Sequence, residues 1–264
     1  MSDRTIGLLT DFGLQDTYVG IMKCIIDDLA PEATVIDLCH EVAAQNILSG
    51  AYLASTVIPH LPDGGVLVGV VDPGVGSNRR AIAVDVGGRY LVGPDNGLFG
   101  MVLEHHDADT VVALENSRFF RSDVSATFHG RDIFAPVAAH IARGVSLEDL
   151  GPTVDTGDLT QLPFNDPYLG DNRVECHVIH RDRFGNLITN LSRADLEDWL
   201  EGSDPRVELD GRKVSLEKTF SNSSSGEPVA YYGSTNQLEV AVNGGDAARY
   251  FGADQGTSVL IQRD

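Results

Sequence analysis

A chain of 264 residues can bury one large core or two modest ones, and 42% hydrophobic residues is the level of an ordinary folded protein, which excludes a disordered chain. With 39 acidic residues against 19 basic ones the formal net charge is -20, so the surface repels nucleic-acid phosphates, and apolar runs such as "IMKCII" are broken by charge well short of the roughly 20 residues a bilayer span requires. Cys24, Cys39 and Cys176 offer no CxxC pair and leave one thiol over, which argues against a disulfide scaffold or a zinc site.

Most cations are arginine, lysine appears only at Lys23, Lys213 and Lys218, and aspartate outnumbers glutamate. That balance points to a high-salt interior, where screening removes self-repulsion and short carboxylates hold hydrated cations. "MSDRT" passes at once into the apolar "IGLLT" with no leader-like run, so a cytoplasmic protein is expected.

In chain order, the first 150 or so residues alternate strand-like and helix-like patterns, the signal of an α/β domain with a mostly parallel sheet. "TIGLLT" reads as a buried strand. Val19, Met22, Ile26 and Leu29 then recur at helical spacing from Asp16 to Leu29, and Pro31 stops that helix. "TVIDL" is a second strand, residues 46–58 a second helix, and "GVLVGVV" a third strand. "AIAVDV" and "RYLVG" flank Gly87-Gly88 as a hairpin. "NGLFGMVLEH" and "RDIFAPVAAHIARG" read as helices, the latter tolerating Pro136 near its first turn.

Two prolines, a glycine and several turn formers in "QLPFNDPYLGDN" mark a linker. The expected division is an α/β domain over 1–163, a linker over 164–172 and a small β-barrel over 173–264. Strands dominate the last part: "RVECHVIH", "NLITNL", "RVELDGRKV" turning at Asp210-Gly211, "PVAYY", "QLEVAVN" and "SVLIQR". A short helix, "RADLEDWL", follows Ser192 as its cap.

Three segments carry candidate chemistry. "VVDPGVGSNRR" brings an acid, glycines and two arginines into one turn. Its amides with Arg79 or Arg80 could cradle a phosphate, yet the GxxxxGK[ST] spacing is missing and Asp72 repels an anion. Asp72 alone is too little for a metal, and Asp72 with Arg79 could equally be an ion pair bracing the turn. "TDFGLQD" places Asp11 and Asp16 at the carboxyl edge of the first strand, where open α/β sheets bind ligands, although Asp16 also suits a helix N-cap. "TFHGRDIF" puts His129 before another helix, either facing the same edge or as a satisfied loop histidine. "EHHDAD" reads as a solvated helix end, and His177 with His180 are too few for a metal.

"LLTDFG", "VVDPGVGSNRR", "GPDNGLF", "TFHGRDIFAPVAA", "DRFGNLITN" and "NQLEVAVNGGDAA", in this order over nearly the whole chain, resemble the S-adenosylmethionine hydroxide adenosyltransferases, adenosine-forming hydrolases related to the fluorinase and chlorinase. The resemblance implies an α/β domain, a β-barrel domain, and a homotrimer whose active sites lie between one subunit's first domain and its neighbour's second. It implies a catalytic trio of Asp72, Arg79 and His129. Asp11 matches a carboxylate on the ribose hydroxyls, Asp16, Asp182 and Ser234 match methionine contacts, and Asn186 an adenine contact. Phe128, Phe184 and Phe220 are aromatic candidates for the ribose or base. The halogenating relatives carry tyrosine where Asp72 stands, and the fluorinase serine where Gly130 stands, which points here to water as nucleophile. Val242 stands where the fluorinase has an arginine near the adenine. The implied reaction gives adenosine and methionine with no metal or cofactor; a halogenase, or a non-catalytic sensor of the same ligand, are the alternatives.

Overall fold

The computed structural model describes residues 4–162, 164 and 166–263, and its contacts divide the chain into two compact units, residues 1–163 and 164–264. In the first unit, strands β1 (Thr5–Thr10), β2 (Thr34–Cys39), β3 (Val66–Val70), β4 (Ala81–Val86), β5 (Arg89–Pro94) and β6 (Thr110–Ala113) form one sheet in the order β2-β1-β3-β5-β4-β6. Only β4 runs against the others, because it is antiparallel to both β5 and β6. The mostly parallel sheet expected from the alternating pattern is therefore present, with β6 as a strand the sequence reading did not single out.

Side chains alternate across the sheet as the two-residue strand period requires. Ile6, Leu8, Val66, Val68 and Val70 pack on one face with α1 (Tyr18–Leu29) and α4 (Ala135–Ala142); Leu9, Leu67, Val84 and Leu91 pack on the other with α2 (Ile47–Val57) and α3 (Gly100–His105). Gly87 and Gly88, at φ +60 and +78, supply the left-handed turn that joins β4 to β5. Asn46 caps α2 by accepting from the Ser49 amide.

Two helices differ from expectation. The first begins at Tyr18 rather than Asp16, with Thr17 at its N-cap position and no side-chain cap. The segment around Pro136 opens with a π-helical turn, Gly130–Phe134, before α4. Proline has no N–H to give to the carbonyl four residues back. That carbonyl, on Asp132, instead accepts from the Arg121 amide at 3.0 Å, which ties the 121–129 loop to the helix.

In the second unit, β8 (Arg173–Arg181), β9 (Leu187–Ser192), β10 (Pro205–Leu209), β11 (Arg212–Leu216), β12 (Pro228–Tyr232), β13 (Gln237–Val242) and β14 (Ser258–Arg263) close into a seven-stranded barrel, since β14 pairs with both β10 and β8. A two-residue β7 (Tyr168–Leu169) extends β8 outside the ring. Val174, Cys176, Val178, Val207, Leu209, Leu238, Val240, Val259 and Ile261 fill its interior. Burial pushes the Cys176 thiol up to about 12, so it behaves as a packed hydrophobe. α5 (Arg193–Leu200) is capped by Ser192 accepting from the Asp195 amide, as expected, while α6 (Ala247–Phe251) was not foreseen.

Candidate active site

β1 and β3 are parallel neighbours with Thr10 level with Val70, so the chain leaves both strands at one carboxyl edge. The strand order also reverses there, with β2 on one side of β1 and β3 on the other, which opens a crevice. A cavity of about 380 Å³ occupies it, lined by Asp11, Phe12 and Tyr18 from the β1 end, Val70, Asp72 and Val75 from the β3 end, and Thr127, Phe128, His129 and Gly130 from the turn before the π-helix; Gln45 also lines it.

Arg79 stands beside this cavity and organises it. Its Nε donates to both Asp72 oxygens, at 2.9 and 3.0 Å, and its Nη2 donates to Asp72 and to His129 Nδ1 at 2.8 Å. The side chains of this ion pair are only 9% and 5% exposed, so each charge depends on the other for solvation. The Phe134 ring lies 5.4 Å from the guanidinium carbon. Burial, then the positive charge of Arg79, hold His129 below the ordinary histidine value of 6.5, opposed by Asp72 and Asp132. Since a guanidinium only donates, His129 presents a lone pair at Nδ1, and in the neutral ring the proton sits on Nε2.

The loops are held close by backbone features. Gly76 has φ +77, and a Cβ there would collide with the Ala126 carbonyl oxygen, so glycine lets the Asp72–Arg79 turn press against the loop leading to His129. Asp132, fully buried, accepts from the Ser125 amide at 2.9 Å and pairs with Arg131 and Arg121; burial pushes its carboxyl up, but hydrogen bonds from Arg131 and the Ser125 amide, together with the charges of Arg131 and Arg121, outweigh it and hold the carboxyl below the usual range. Asp11 receives the Gln45 amide on Oδ2 at 2.7 Å, with Gln45 itself left-handed at φ +64.

Of the residues singled out in the sequence, Asp11, Asp72, Phe128 and His129 line the cavity and Arg79 links two of them. Asp16 is exposed in the turn before α1, outside that lining. In the second unit, Asp182 uses its carboxylate to build the turn between β8 and β9, accepting from the amides of Phe184 and Asn186 and from the Asn186 side chain at 2.8 Å. Phe184 is 77% exposed and Phe220 52%, and Ser234 is exposed in the turn between β12 and β13. Sequence reading missed Phe12, Tyr18, Gln45 and Thr127 as lining residues. Phe12, Tyr18 and Phe128 form a mutually tilted cluster with centroids 5.2 to 5.8 Å apart, an aromatic wall whose signal was two rings flanking "GLQD". Among the described residues, no group of three or more His, Cys, Asp and Glu is placed to hold a metal ion.

Comparison with known proteins places this geometry among relatives. Family profiles described as the SAM hydroxide adenosyltransferase N-terminal and C-terminal domains match residues 6–151 and 176–260. An (R)-S-adenosyl-L-methionine hydrolase from Thermus thermophilus is 41% identical, covering 98% of this chain and 99% of its own. A fluorinase from Nocardia brasiliensis is more distant, at 26% identity over 97% of this chain and 96% of its own. The crystal structure of an uncharacterized conserved protein from Thermotoga maritima superposes with a TM-score of 0.91 at 34% identity, covering 98% of this chain and all of that one.

A Gly76→Ala variant tests whether the turn contact sets the geometry. Activity on the substrate proposed below is expected to fall by about 10²-fold, the scale of an ångström-sized misplacement. Steady-state kinetics on the folded variant decides, and wild-type turnover would remove this contact from the account.

Proposed function

This chain belongs to the SAM hydroxide adenosyltransferase family, and from that premise we propose that it hydrolyses S-adenosyl-L-methionine at the 5′ carbon to adenosine and L-methionine. The observation that carries the reading is the Asp72–Arg79 ion pair, its side chains largely buried, joined to His129 beside a cavity of ligand size. The substrate is a sulfonium and brings its own neutral leaving group, so neither a metal nor a cofactor is called for. The chemical demand falls on the nucleophile, because free water has a pKa near 15.7 and attacks weakly.

His129 donates from Nε2 to orient a water, and it cannot accept that water's proton at Nδ1 without giving up Arg79. Asp72 retains lone pairs beyond those Arg79 uses and accepts the proton. The water oxygen bonds to C5′ as the C5′–S bond breaks, its electron pair returning to sulfur as the thioether of methionine. Arg79 fixes the orientation of that carboxylate and offsets negative charge growing on the attacking oxygen. Because that charge and the sulfonium charge cancel along the way, exclusion of bulk water favours the dispersed transition state. Asp11 grips the ribose hydroxyls, and the aromatic wall packs on the ribose or base.

The hydrolase relatives carry the R configuration at sulfur in their name, and this chain takes the same epimer. A pyramidal sulfonium is a stereocentre, and in-line attack fixes sulfur opposite the water. The two epimers then send the methionyl arm in different directions, and only one meets its contacts. The methionine and adenine contacts Asp16, Asp182, Asn186 and Ser234, with Phe184 and Phe220, would come partly from a neighbouring copy in a homotrimer. Two exposed phenylalanines on the second unit are the kind of surface a neighbour covers. A cytoplasmic, high-salt setting fits the charge of -20.

Separated epimers incubated in oxygen-18 water test the reaction. The R epimer is expected to give adenosine labelled at the 5′ oxygen, whereas unlabelled product, 5′-chloroadenosine in chloride buffer, or tight binding without turnover would overturn it. The lowered pKa of His129 sets the acid side of the pH profile. Activity needs the neutral ring, so kcat/KM is expected to hold as pH falls past 6.5 and drop only below it. Stability follows the same sign: the unfolded chain takes up this proton first, so folding weakens as pH drops from 6.5 through the lowered value. An acid limb at or above 6.5 would show that His129 is not the group. Sedimentation velocity in dilute buffer and in molar salt is expected to show a trimer that tightens with salt. A monomer, or indifference to salt, would remove the assembly or the halophilic reading respectively.

A further inference from the structure

Outside the cavity, four side chains form a hydrogen-bonded series that ends at the turn carrying Asp11. Lys23 Nζ meets Asp37 Oδ2 at 2.6 Å, Asp37 Oδ1 meets His40 Nε2 at 2.9 Å, and His40 Nδ1 meets Thr10 Oγ1 at 2.9 Å. Thr10 Oγ1 in turn accepts from the Phe12 amide at 3.3 Å. Lys23 and Asp37 sit half-exposed, whereas His40 and Thr10 are buried.

The direction of each bond follows from the carboxylate. Asp37 only accepts, so His40 carries a proton on Nε2, and in the neutral ring Nδ1 is left to accept from the Thr10 hydroxyl. With its hydrogen committed there, Thr10 Oγ1 offers lone pairs to the Phe12 N–H. His40 also accepts the Gly13 amide on its carbonyl at 2.7 Å, so one residue secures both sides of the Asp11-Phe12-Gly13 turn. Gly13 takes φ +66, a left-handed conformation that glycine adopts without strain. The Asp11 amide donates to the Val70 carbonyl at 3.3 Å, and its carboxylate receives only the Gln45 amide among the bonds described, which leaves acceptor capacity for a ligand. An apolar pair would fill the Thr10–His40 space without the cost of burying polar groups. What the polar series adds is a fixed orientation.

We propose that His40 is a positioning residue for substrate: acting through Thr10, it holds Asp11 in the orientation that grips the ribose diol. This rests on the reading of Asp11 as the ribose-binding carboxylate given above. His40 does not line the cavity, so it acts through the turn and not by contact.

Calorimetry with adenosine and 2′,3′-dideoxyadenosine, which lacks the diol, tests this on the full-length protein. Wild type is expected to prefer adenosine by about tenfold or more, the worth of one charge-assisted hydrogen bond. His40→Asn places an amide oxygen near the Nδ1 position and should keep that preference. His40→Gln places its amide near Nε2 instead, and it should lose the preference with dideoxyadenosine binding unchanged; Thr10→Val, which keeps the shape of the buried strand end, should do the same. A folded His40→Gln or Thr10→Val protein that still discriminates overturns the proposal, and Thr10→Val decides if the histidine variant does not fold. A wild-type protein that binds both nucleosides equally, or neither, overturns the ribose reading itself, and the positioning role with it.

Discussion

The Asp72 and His129 side of the candidate site is referred to one guanidinium. Arg79 donates from Nε and Nη2 into a nearly enclosed carboxylate, from Nη2 into a histidine ring, and from Nη1 to the Arg80 carbonyl at 3.3 Å. A planar group with five donors in fixed directions can serve three partners at once; a lysine, with a point charge on a flexible stem, could not hold the same plane. Once that plane is set, the His129 tautomer and the free lone pairs of Asp72 are determined. Burial makes the arrangement all-or-none, because loss of either charge leaves the other unsolvated.

The fold supplies this arrangement from three separate stretches of chain. Parallel pairing of β1 with β3 brings Asp11 and Asp72 to one edge. Glycine at position 76 allows the Asp72–Arg79 turn to approach Ala126. The Pro136 ring frees the Asp132 carbonyl for Arg121, while the Asp132 carboxylate takes the Ser125 amide, so one buried residue pins the 121–129 loop by both its backbone and its side chain. Arg131 lies 5.1 Å from the centre of the Phe128 ring and carries the same constraint to the cavity wall. Such crossed supports fix the donors and acceptors by contacts made within the chain itself, which is the condition for electrostatic preorganisation.

Much of this was legible because the local signals agree with the tertiary outcome. Buried-strand runs, the Gly87-Gly88 and Asp210-Gly211 turns and the Ser192 cap each have a local cause, and each appears. The strand at Thr110–Ala113 was missed because one threonine and three apolar residues after "EHHDAD" carry no period of their own. α6 is five residues long, too short for a helical repeat to show, though Asp246 caps it through the Arg249 amide. Pro136 could be placed near a helix start, but the π-turn before it depends on where the Asp132 carbonyl finds a partner, a contact made eleven residues upstream. Acid residues were the hardest to rank. Asp72 and Asp182 look alike in sequence, yet one faces an arginine at the cavity and the other accepts from two amides and a side chain of its own turn.

The excess of acid bears on the site as well. S-adenosylmethionine carries a sulfonium, an ammonium and one carboxylate, and is therefore a net cation, which a surface of charge -20 draws in at low ionic strength. That field weakens as the screening length shrinks from about 10 Å at 0.1 M to about 3 Å at 1 M. In concentrated salt the steering is lost, whereas interactions at hydrogen-bond distance between largely buried side chains are hardly screened. The Asp72–Arg79–His129 contacts are all of that second kind. Salt can therefore screen the outer charge while the Asp72–Arg79–His129 contacts keep their geometry, and recognition in salt must come from shape and short hydrogen bonds at the cavity wall.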